Sequence, residues 1–136
     1  MKKITFFLLL AVAITCISCN SQKQYTPATD ALDAAREFVG ACLKGDFEKA
    51  NFYMLQDEKN KQLLQEATST FRNKSAAQQI VFKEASLQNI TIENIDTVQT
   101  IIYYKYSFDN VVRKVKSIYS NKIWLVDFKY SFNPNL

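Results

Sequence analysis

The hydrophobic pattern of the chain changes its period near Ala85, and this change constrains the fold more than any other feature. Before it, apolar residues recur at helical spacing, as in Leu32, Ala35 and Val39. After it, apolar and polar residues alternate, as in the stretch IWLVDFKYSF, which indicates strands. The sequence therefore predicts an α+β domain, in which N-terminal helices pack on a curved antiparallel sheet of about four strands.

The first half of the chain contains clear signals for the ends of helices. Thr29 or Asp30 can cap the start of the first helix, and Gly45 can end it, because glycine readily adopts the left-handed conformation. Asp46 then caps a second helix, which turns back on the first. Further helical segments are predicted at residues 57–73 and in the stretch SAAQQIVFKEA.

Four strands are predicted after the helices. The first lies around Ile90, and the others are TVQTIIYYKYSF, VVRKVKSIYS and IWLVDFKYSF, joined by connections of hairpin length. In the last stretch, alternation places one set of side chains on a common face, namely Trp124, Val126, Phe128, Tyr130 and Phe132. Asp127 then points to the opposite face with Lys129, where Lys114 or Lys116 of the neighbouring strand can balance its charge.

The composition excludes several kinds of function. There are 17 basic and 13 acidic residues, and removal of Lys2 and Lys3 with a cleaved signal leaves a net charge of +2. A balance so close to neutral argues against a nucleic-acid partner. The chain has no histidine, which removes the commonest acid–base group and the commonest metal ligand. We therefore expect no metal site and no cofactor.

The N-terminus has the pattern of a secretory signal peptide. Lys2 and Lys3 precede an almost wholly apolar run at residues 4–14. Eleven helical residues span about 16 Å, roughly half of the ~30 Å hydrocarbon core of a bilayer. The run is therefore too short to be a stable transmembrane helix.

The end of this signal resembles the bacterial lipobox, in which a small residue precedes a cysteine that becomes lipidated. Ser18 fits the small position before Cys19, and the polar stretch NSQKQ follows. The resemblance implies that the Cys19 thiol receives a diacylglycerol and that the signal is cut before it. Cys16 stands where the family usually has leucine and is the rival acceptor, but Thr15 before it fits less well.

The chain is accordingly divided into three parts. Residues 1–18 form the lipoprotein signal peptide, residues 19–28 the lipidated cysteine and its tether, and residues 29–136 one α+β domain. The first acidic residue after Cys19 is Asp30. In similar lipoproteins of Bacteroides-type bacteria, early acidic residues accompany surface export. The resemblance therefore implies a lipid anchor in the cell envelope, in the outer membrane facing the periplasm.

The domain itself resembles a second family. The stretches TDALDAAREFVGACLKGDFEKANFYM and KIWLVDFKY are similar to those of small bacterial lipoproteins with a nuclear-transport-factor-2-like domain, also called cystatin-like or SnoaL-like. The resemblance implies a half-open cone, in which helices close over a strongly bent sheet. It also implies an apolar pocket at the mouth and a tendency of the outer sheet face to dimerise.

The function expected from these features is binding without catalysis. A small apolar ligand would enter the cone, with a candidate lining of Tyr104, Tyr106, Trp124, Phe128 and Tyr130, unless these aromatic side chains only fill the core. The alternative is a homodimer or an envelope-complex subunit that uses the outer sheet face, with Ile101, Tyr103, Ile123 and Leu125. A small isomerase- or hydrolase-like enzyme is the least favoured reading, because no acidic residue is forced into the pocket.

Overall fold

In the computed structural model, which describes residues 23–132, helices precede strands along the chain. The elements are α1 (Ala31–Lys44), α2 (Phe47–Phe52), α3 (Glu58–Arg72), α4 (Ala76–Glu84), β1 (Leu87–Asn94), β2 (Gln99–Tyr106), β3 (Arg113–Ser120), β4 (Ile123–Asp127) and the 3₁₀ helix η1 (Phe128–Ser131). The strands form a curved, unclosed antiparallel sheet in the order β1-β2-β3-β4. The predicted α+β class is confirmed. Cys16, Cys19 and the signal peptide lie outside the described residues.

The helix ends follow the capping signals of the sequence. Asp30 caps α1, because its Oδ1 atom accepts a hydrogen bond from the backbone N–H of Asp33 at 2.8 Å. Gly45 ends α1 in the left-handed conformation with a φ of 74°, and Asp46 caps α2. Ser75 and Gln78 form a reciprocal capping box at the start of α4.

The core lies between α1 and the inner face of the sheet. The helix contributes Ala34, Ala35 and Phe38, which are almost completely buried, and the strands contribute residues such as Ile102 and Val126. Burial of this apolar surface, worth roughly 25 cal/mol per Å², stabilises the packing of α1 on the sheet. Among the described residues, the members of the buried core cluster lie between Ala28 and Val126 in the chain.

The segment before α1 lies along the domain rather than away from it. Lys23 Nζ forms an ion pair with Asp46 at 3.3 Å, and the Tyr53 hydroxyl donates a hydrogen bond to the Thr26 carbonyl at 2.6 Å. Ala28 then forms an isolated bridge with Trp124 of β4. Part of the predicted tether is therefore packed against the folded domain.

The fourth strand is shorter than the alternation predicts. The pattern extended it to Phe132, whereas β4 ends at Asp127 and the chain continues as η1. A long-range contact accounts for this end, because the Lys129 backbone N–H donates to Asn60 Oδ1 at 2.7 Å rather than to a neighbouring strand. The prediction of a single face for Phe128 and Tyr130 is therefore wrong.

These two aromatic rings lie on opposite sides of the sheet. Phe128 contacts Phe38 of α1, with ring centroids 4.9 Å apart. Tyr130 lies under the ammonium groups of Lys114 and Lys116, at 5.3 and 4.7 Å from its ring centroid. Those lysines alternate with the buried Val115 and therefore point to the outer face. The C-terminal end of the chain thus covers part of the outer face.

Gly40, inside α1, and Gly45, the C-terminal cap of α1, provide a matched test of backbone conformation. At Gly45, a Cβ atom would lie 2.6 Å from the Phe71 ring, and the φ of 74° disfavours other residues. We expect Gly45→Ala to lower the free energy of unfolding by about 1–3 kcal/mol. Urea unfolding followed by circular dichroism measures this change.

Gly40→Ala is the control for this experiment. Gly40 lies inside α1, and no atom lies within 4 Å of a Cβ built on it. Because alanine favours the helix interior, the substitution should raise the free energy of unfolding by roughly 0.5–1 kcal/mol. If both variants changed stability in the same direction, the role assigned to the conformation of Gly45 would be wrong.

Candidate functional site: a cavity between the helices and the sheet

A cavity of about 820 Å³ lies between the helices and one end of the sheet. Its size falls within the range of roughly 300–1,000 Å³ that is usual for small-molecule sites. Most of its wall is apolar and comes from α1, α2, α3 and α4, with Phe38, Val39, Leu43, Phe47, Phe71 and Phe82 among the lining residues. The ends of β2 and β3 and the η1 segment complete it.

Three of the five predicted pocket residues line this cavity. Tyr104 and Tyr106 reach it from β2, and Phe128 reaches it from η1. Trp124 and Tyr130 lie elsewhere. Trp124 faces the helices at the other end of the sheet, where its ring centroid lies 5.3 Å from that of Tyr119, and Tyr130 covers the outer face.

The two tyrosines supply hydroxyl groups deep in an apolar wall. Tyr104 is only 5% exposed, and its ring centroid lies 5.7 Å from that of Tyr106. Burial and the neighbouring Tyr106 hold the pKa of Tyr104 well above its usual value of 10.0, and burial also raises the pKa of Tyr106. Both phenols are therefore neutral hydrogen-bonding groups at physiological pH.

Cys42 also lines the cavity, but as an apolar group. Burial raises the pKa of its thiol from 9.0 to about 12. Because the thiolate is the nucleophilic form of cysteine, the neutral thiol is a poor nucleophile here. Cys42 therefore contributes a small hydrophobic surface to the wall.

Three basic residues are among the lining residues, at the start of β3 and just after α3. Arg113 binds Asp109 through two hydrogen bonds of 2.7 and 2.8 Å, and its guanidinium lies 4.0 Å from the ring centroid of Tyr106. Lys74 Nζ lies 4.6 Å from the ring centroid of Phe82. Lys114 is also among the lining residues, although its ammonium lies over Tyr130 outside the cavity. Glu66 is the single carboxylate among the lining residues that the structure describes.

Sequence reasoning missed this basic group. Its members are far apart in the chain. Lys74 follows the Asn73 cap of α3, whereas Arg113 and Lys114 are the first two residues of β3. The available signal was that Arg113 and Lys114 begin a strand that follows an exposed Val111–Val112 pair. That signal places charge at a strand end but does not show which cavity lies beside it.

Ser131 adds a polar atom to the same wall. Its Oγ atom is buried and has no hydrogen-bond partner among residues 23–132. Ser131 lines the cavity between Phe128 and Phe132. Because a buried hydroxyl usually has a partner, this unpaired atom is an exception within the wall.

A buried ionic cluster holds η1 in place behind the cavity wall. Asp127 is 3% exposed and contacts Lys129 Nζ at 3.0 Å, Lys116 Nζ at 3.6 Å and Asn60 Nδ2 at 3.1 Å. Lys129 Nζ also binds Asp57 at 2.6 Å. Asp127 does not line the cavity, so this cluster positions the wall rather than facing a ligand.

Residues 23–132 contain no group of three or more His, Cys, Asp or Glu side chains that could hold a metal ion. No helix in this part of the chain is both long and apolar enough to cross a membrane.

No family model matches the chain. No curated protein matches it either.

The ionic cluster predicts a loss of stability in acid. Burial raises the pKa of Asp57, but the hydrogen bonds from Lys129 and from the Asn60 backbone outweigh it, so the pKa lies below the usual 3.8. The contribution of the charged Asp57 carboxylate to the free energy of unfolding is complete above the usual pKa of 3.8. It is lost as the pH falls through the lower pKa of the folded state. The stability advantage of the wild type over Asp57→Asn should therefore shrink in strong acid.

Urea unfolding at neutral pH and at about pH 3 measures this difference. Asparagine still caps a helix well, so the variant tests the charge rather than the cap of α3. Glu84→Gln, at the exposed end of α4, is the control and should show a much smaller dependence on pH. A difference for Asp57→Asn that stayed constant between the two pH values would contradict the prediction.

Proposed function

We propose that this protein is a lipid-anchored protein of the bacterial cell envelope whose domain binds a small apolar ligand in the cavity, without catalysis. The observation that carries the proposal is the cavity of about 820 Å³ with a mainly aromatic and aliphatic wall. Protein interiors are close-packed, with few voids larger than a water molecule. Aromatic side chains that only filled a core would leave no space of this size.

The chemistry of the wall supports binding over catalysis. Glu66, the carboxylate in the described wall, is exposed, and the Cys42 thiol is neutral. The buried Asp127 is satisfied by lysines and an amide on the far side of the wall. A general base must reach the substrate with a free lone pair, and neither carboxylate is placed inside the cavity to do so.

The proposed location rests on the N-terminal sequence. The signal-like residues 1–18 and the lipobox-like Ser18–Cys19 pair favour acylation of Cys19 and a periplasm-facing anchor in the outer membrane. The arrangement of helices over a curved, unclosed sheet is compatible with the nuclear-transport-factor-2-like resemblance. Neither argument depends on the contents of the cavity.

The alternative of a dimerising outer face has less support than it had from the sequence. Ile101, expected on an exposed patch, is 6% exposed, and Tyr130 covers the nearby lysines of β3. The chain's own C-terminal segment thus occupies part of the surface that a partner would need. The cavity is therefore the better-supported site.

Filling the cavity should abolish binding of an apolar probe. Ala67 is a half-buried lining residue on α3, so Ala67→Phe would place a ring in the space that a ligand would occupy. The neutral dye N-phenylnaphthylamine should increase in fluorescence with the wild type and should bind Ala67→Phe at least about tenfold more weakly. A fluorescence titration measures both affinities.

The matched control is Ala77→Phe on α4, which adds the same ring at an exposed position outside the cavity wall. It should bind the dye as the wild type does. If the wild type does not bind the dye, or if the two variants bind it equally well, the proposed ligand site is wrong. Trp124 lies outside the cavity and is a poor reporter for this titration.

The lipid anchor is tested separately. Cys19→Ala should abolish incorporation of labelled fatty acid and release the protein from membranes, because a doubly or triply acylated cysteine supplies the anchoring hydrocarbon at about 0.8 kcal/mol per buried methylene. Cys16→Ala should leave both properties unchanged. Continued labelling of Cys19→Ala, with loss of labelling in Cys16→Ala, would show that Cys16 is the acceptor instead.

A further inference from the structure

We infer that the loop between β2 and β3 inserts its apolar side chains into the surface of the phospholipid bilayer to which the protein is anchored. This inference rests on the lipid anchor of the proposed function, and it adds a second membrane contact that the folded domain itself makes. It is carried by the exposed apolar residues of one short loop and by the place where the described chain begins.

The β2–β3 loop exposes several apolar side chains close together. It connects Tyr106, at the end of β2, to Arg113, at the start of β3. Within it, Phe108 is 38% exposed, Val111 is 56% exposed and Val112 is 62% exposed. Exposed apolar residues concentrated in one short segment indicate a contact surface.

The polar groups of this loop are already paired with one another. Asp109 is the single charged residue between Ser107 and Val112, and Arg113 neutralises it through hydrogen bonds of 2.7 and 2.8 Å. The Val111 backbone N–H donates to Asp109 Oδ1 at 3.1 Å, and the Val111 carbonyl accepts from Arg113 at 3.0 Å. Because polar groups that leave water must keep their hydrogen bonds, this pairing lowers the cost of moving the loop into a lipid surface.

The loop lies at the mouth of the cavity. Val112 and Phe132 both line the cavity and are both more than half exposed, as lining residues at a mouth would be. Phe108 contacts Phe82 of α4, with ring centroids 5.1 Å apart, and Lys74 Nζ lies 4.6 Å from the centroid of the same Phe82 ring. A positive charge therefore lies beside the loop, where anionic lipid head groups would attract it.

The described chain begins at the same end of the domain. Lys23 Nζ is paired at 3.3 Å with Asp46, the cap of α2. Three ring contacts join this corner to the loop, with centroid distances of 5.7, 6.5 and 5.1 Å, namely Phe47–Phe71, Phe71–Phe82 and Phe82–Phe108. Cys19, the expected lipid acceptor, lies four residues before Lys23 in the sequence. A lipid on Cys19 would therefore lie close to the loop.

A bilayer suits this surface better than a second protein does. A stable protein–protein interface buries roughly 800 Å² on each partner, which is far more than the three side chains of one loop expose. The β1–β2 turn, at the opposite end of β2, also exposes apolar residues, namely Ile95 and Val98. The described chain does not begin at that end, so the turn serves as the control surface.

Quenching of tryptophan fluorescence by brominated phospholipid tests the contact. Trp124 is the single tryptophan of the chain, so Trp124→Phe provides a background without fluorescence from tryptophan. In that background, Val111→Trp reports on the loop, and Tyr119→Trp reports on an exposed position near the opposite end of β3. Val111 is not a lining residue, so its reporter lies outside the proposed ligand site.

Each acylated variant is extracted from membranes with detergent and reconstituted into vesicles of phosphatidylethanolamine and phosphatidylglycerol, with and without brominated acyl chains. We expect bromination to quench about half or more of the Val111→Trp fluorescence and less than about a tenth of the Tyr119→Trp fluorescence, because inserted side chains reach the boundary between head groups and acyl chains. The Val111→Trp emission should also shift to shorter wavelength in vesicles.

A second substitution tests whether the loop inserts as a unit. Val112→Asp, added to the Val111→Trp variant, should lower the quenching at least about twofold, because a carboxylate resists transfer out of water. Val98→Asp is the matched control, since it adds the same charge to an exposed valine at the β1–β2 turn. It should leave the quenching at position 111 unchanged.

The outcomes separate this inference from the proposed function. If the variants float with vesicles in a density gradient but are not quenched at position 111, or are quenched equally at positions 111 and 119, the membrane contact is overturned and the anchor stands. An emission shift at position 111 without quenching, which disappears when the lipid is in large excess, would show that a second copy covers the loop and would also overturn it. If the protein does not float, the lipid anchor fails and this inference fails with it.

Discussion

The side-chain amide of Asn60 is the interaction on which the shape of the cavity wall depends. It is completely buried, and it donates to Asp127 Oδ1 at 3.1 Å while accepting from the Lys129 backbone N–H at 2.7 Å. These bonds join α3 to the end of β4, so the chain leaves the sheet at Asp127. Phe128 can then turn to Phe38 on the helix side, and the cavity gains its last wall.

The charges around Asn60 are consistent with this role. A carboxylate removed from water is unfavourable unless it is paired and hydrogen-bonded, and Asp127 has two lysines and an amide around it. Replacing one partner of such a group is strongly destabilising, although the net stabilisation by the whole group is small. The cluster therefore fixes where the strand ends more than it adds to overall stability.

The architecture could be predicted because it depends on local pattern. Asp30 and Gly45 mark the ends of α1 by capping chemistry, and the change of period near Ala85 separates helices from strands. The end of β4 could not be predicted, because Asn60 and Asp127 are 67 residues apart and no periodicity reports a hydrogen bond between them. Local sequence signals predict the helices and strands, whereas long-range polar contacts determine where β4 ends.

The same distinction applies to the cavity residues. Alternation correctly gives the face of a strand residue but not its distance along the sheet. Tyr104 pairs with Arg113 at the cavity end, whereas Trp124 pairs with Tyr119, about 20 Å along β3. Tyr130 was misplaced because the regular strand had already ended. Lys74 and Arg113 were missed as lining residues because only tertiary packing brings the end of α3 and the start of β3 to one cavity.

The ion pair between Lys23 and Asp46 has a consequence for the orientation of the protein. It holds the start of the described chain at the α1–α2 corner, next to Phe47, which lines the cavity. Four residue steps separate Cys19 from Lys23 and reach at most about 14 Å when fully extended. If Cys19 carries the lipid, the segment that connects the lipid to Lys23 is shorter than the domain is wide. The α1–α2 corner is then kept facing the bilayer, so an apolar ligand leaving the membrane would have only a short distance to travel to the proposed binding cavity.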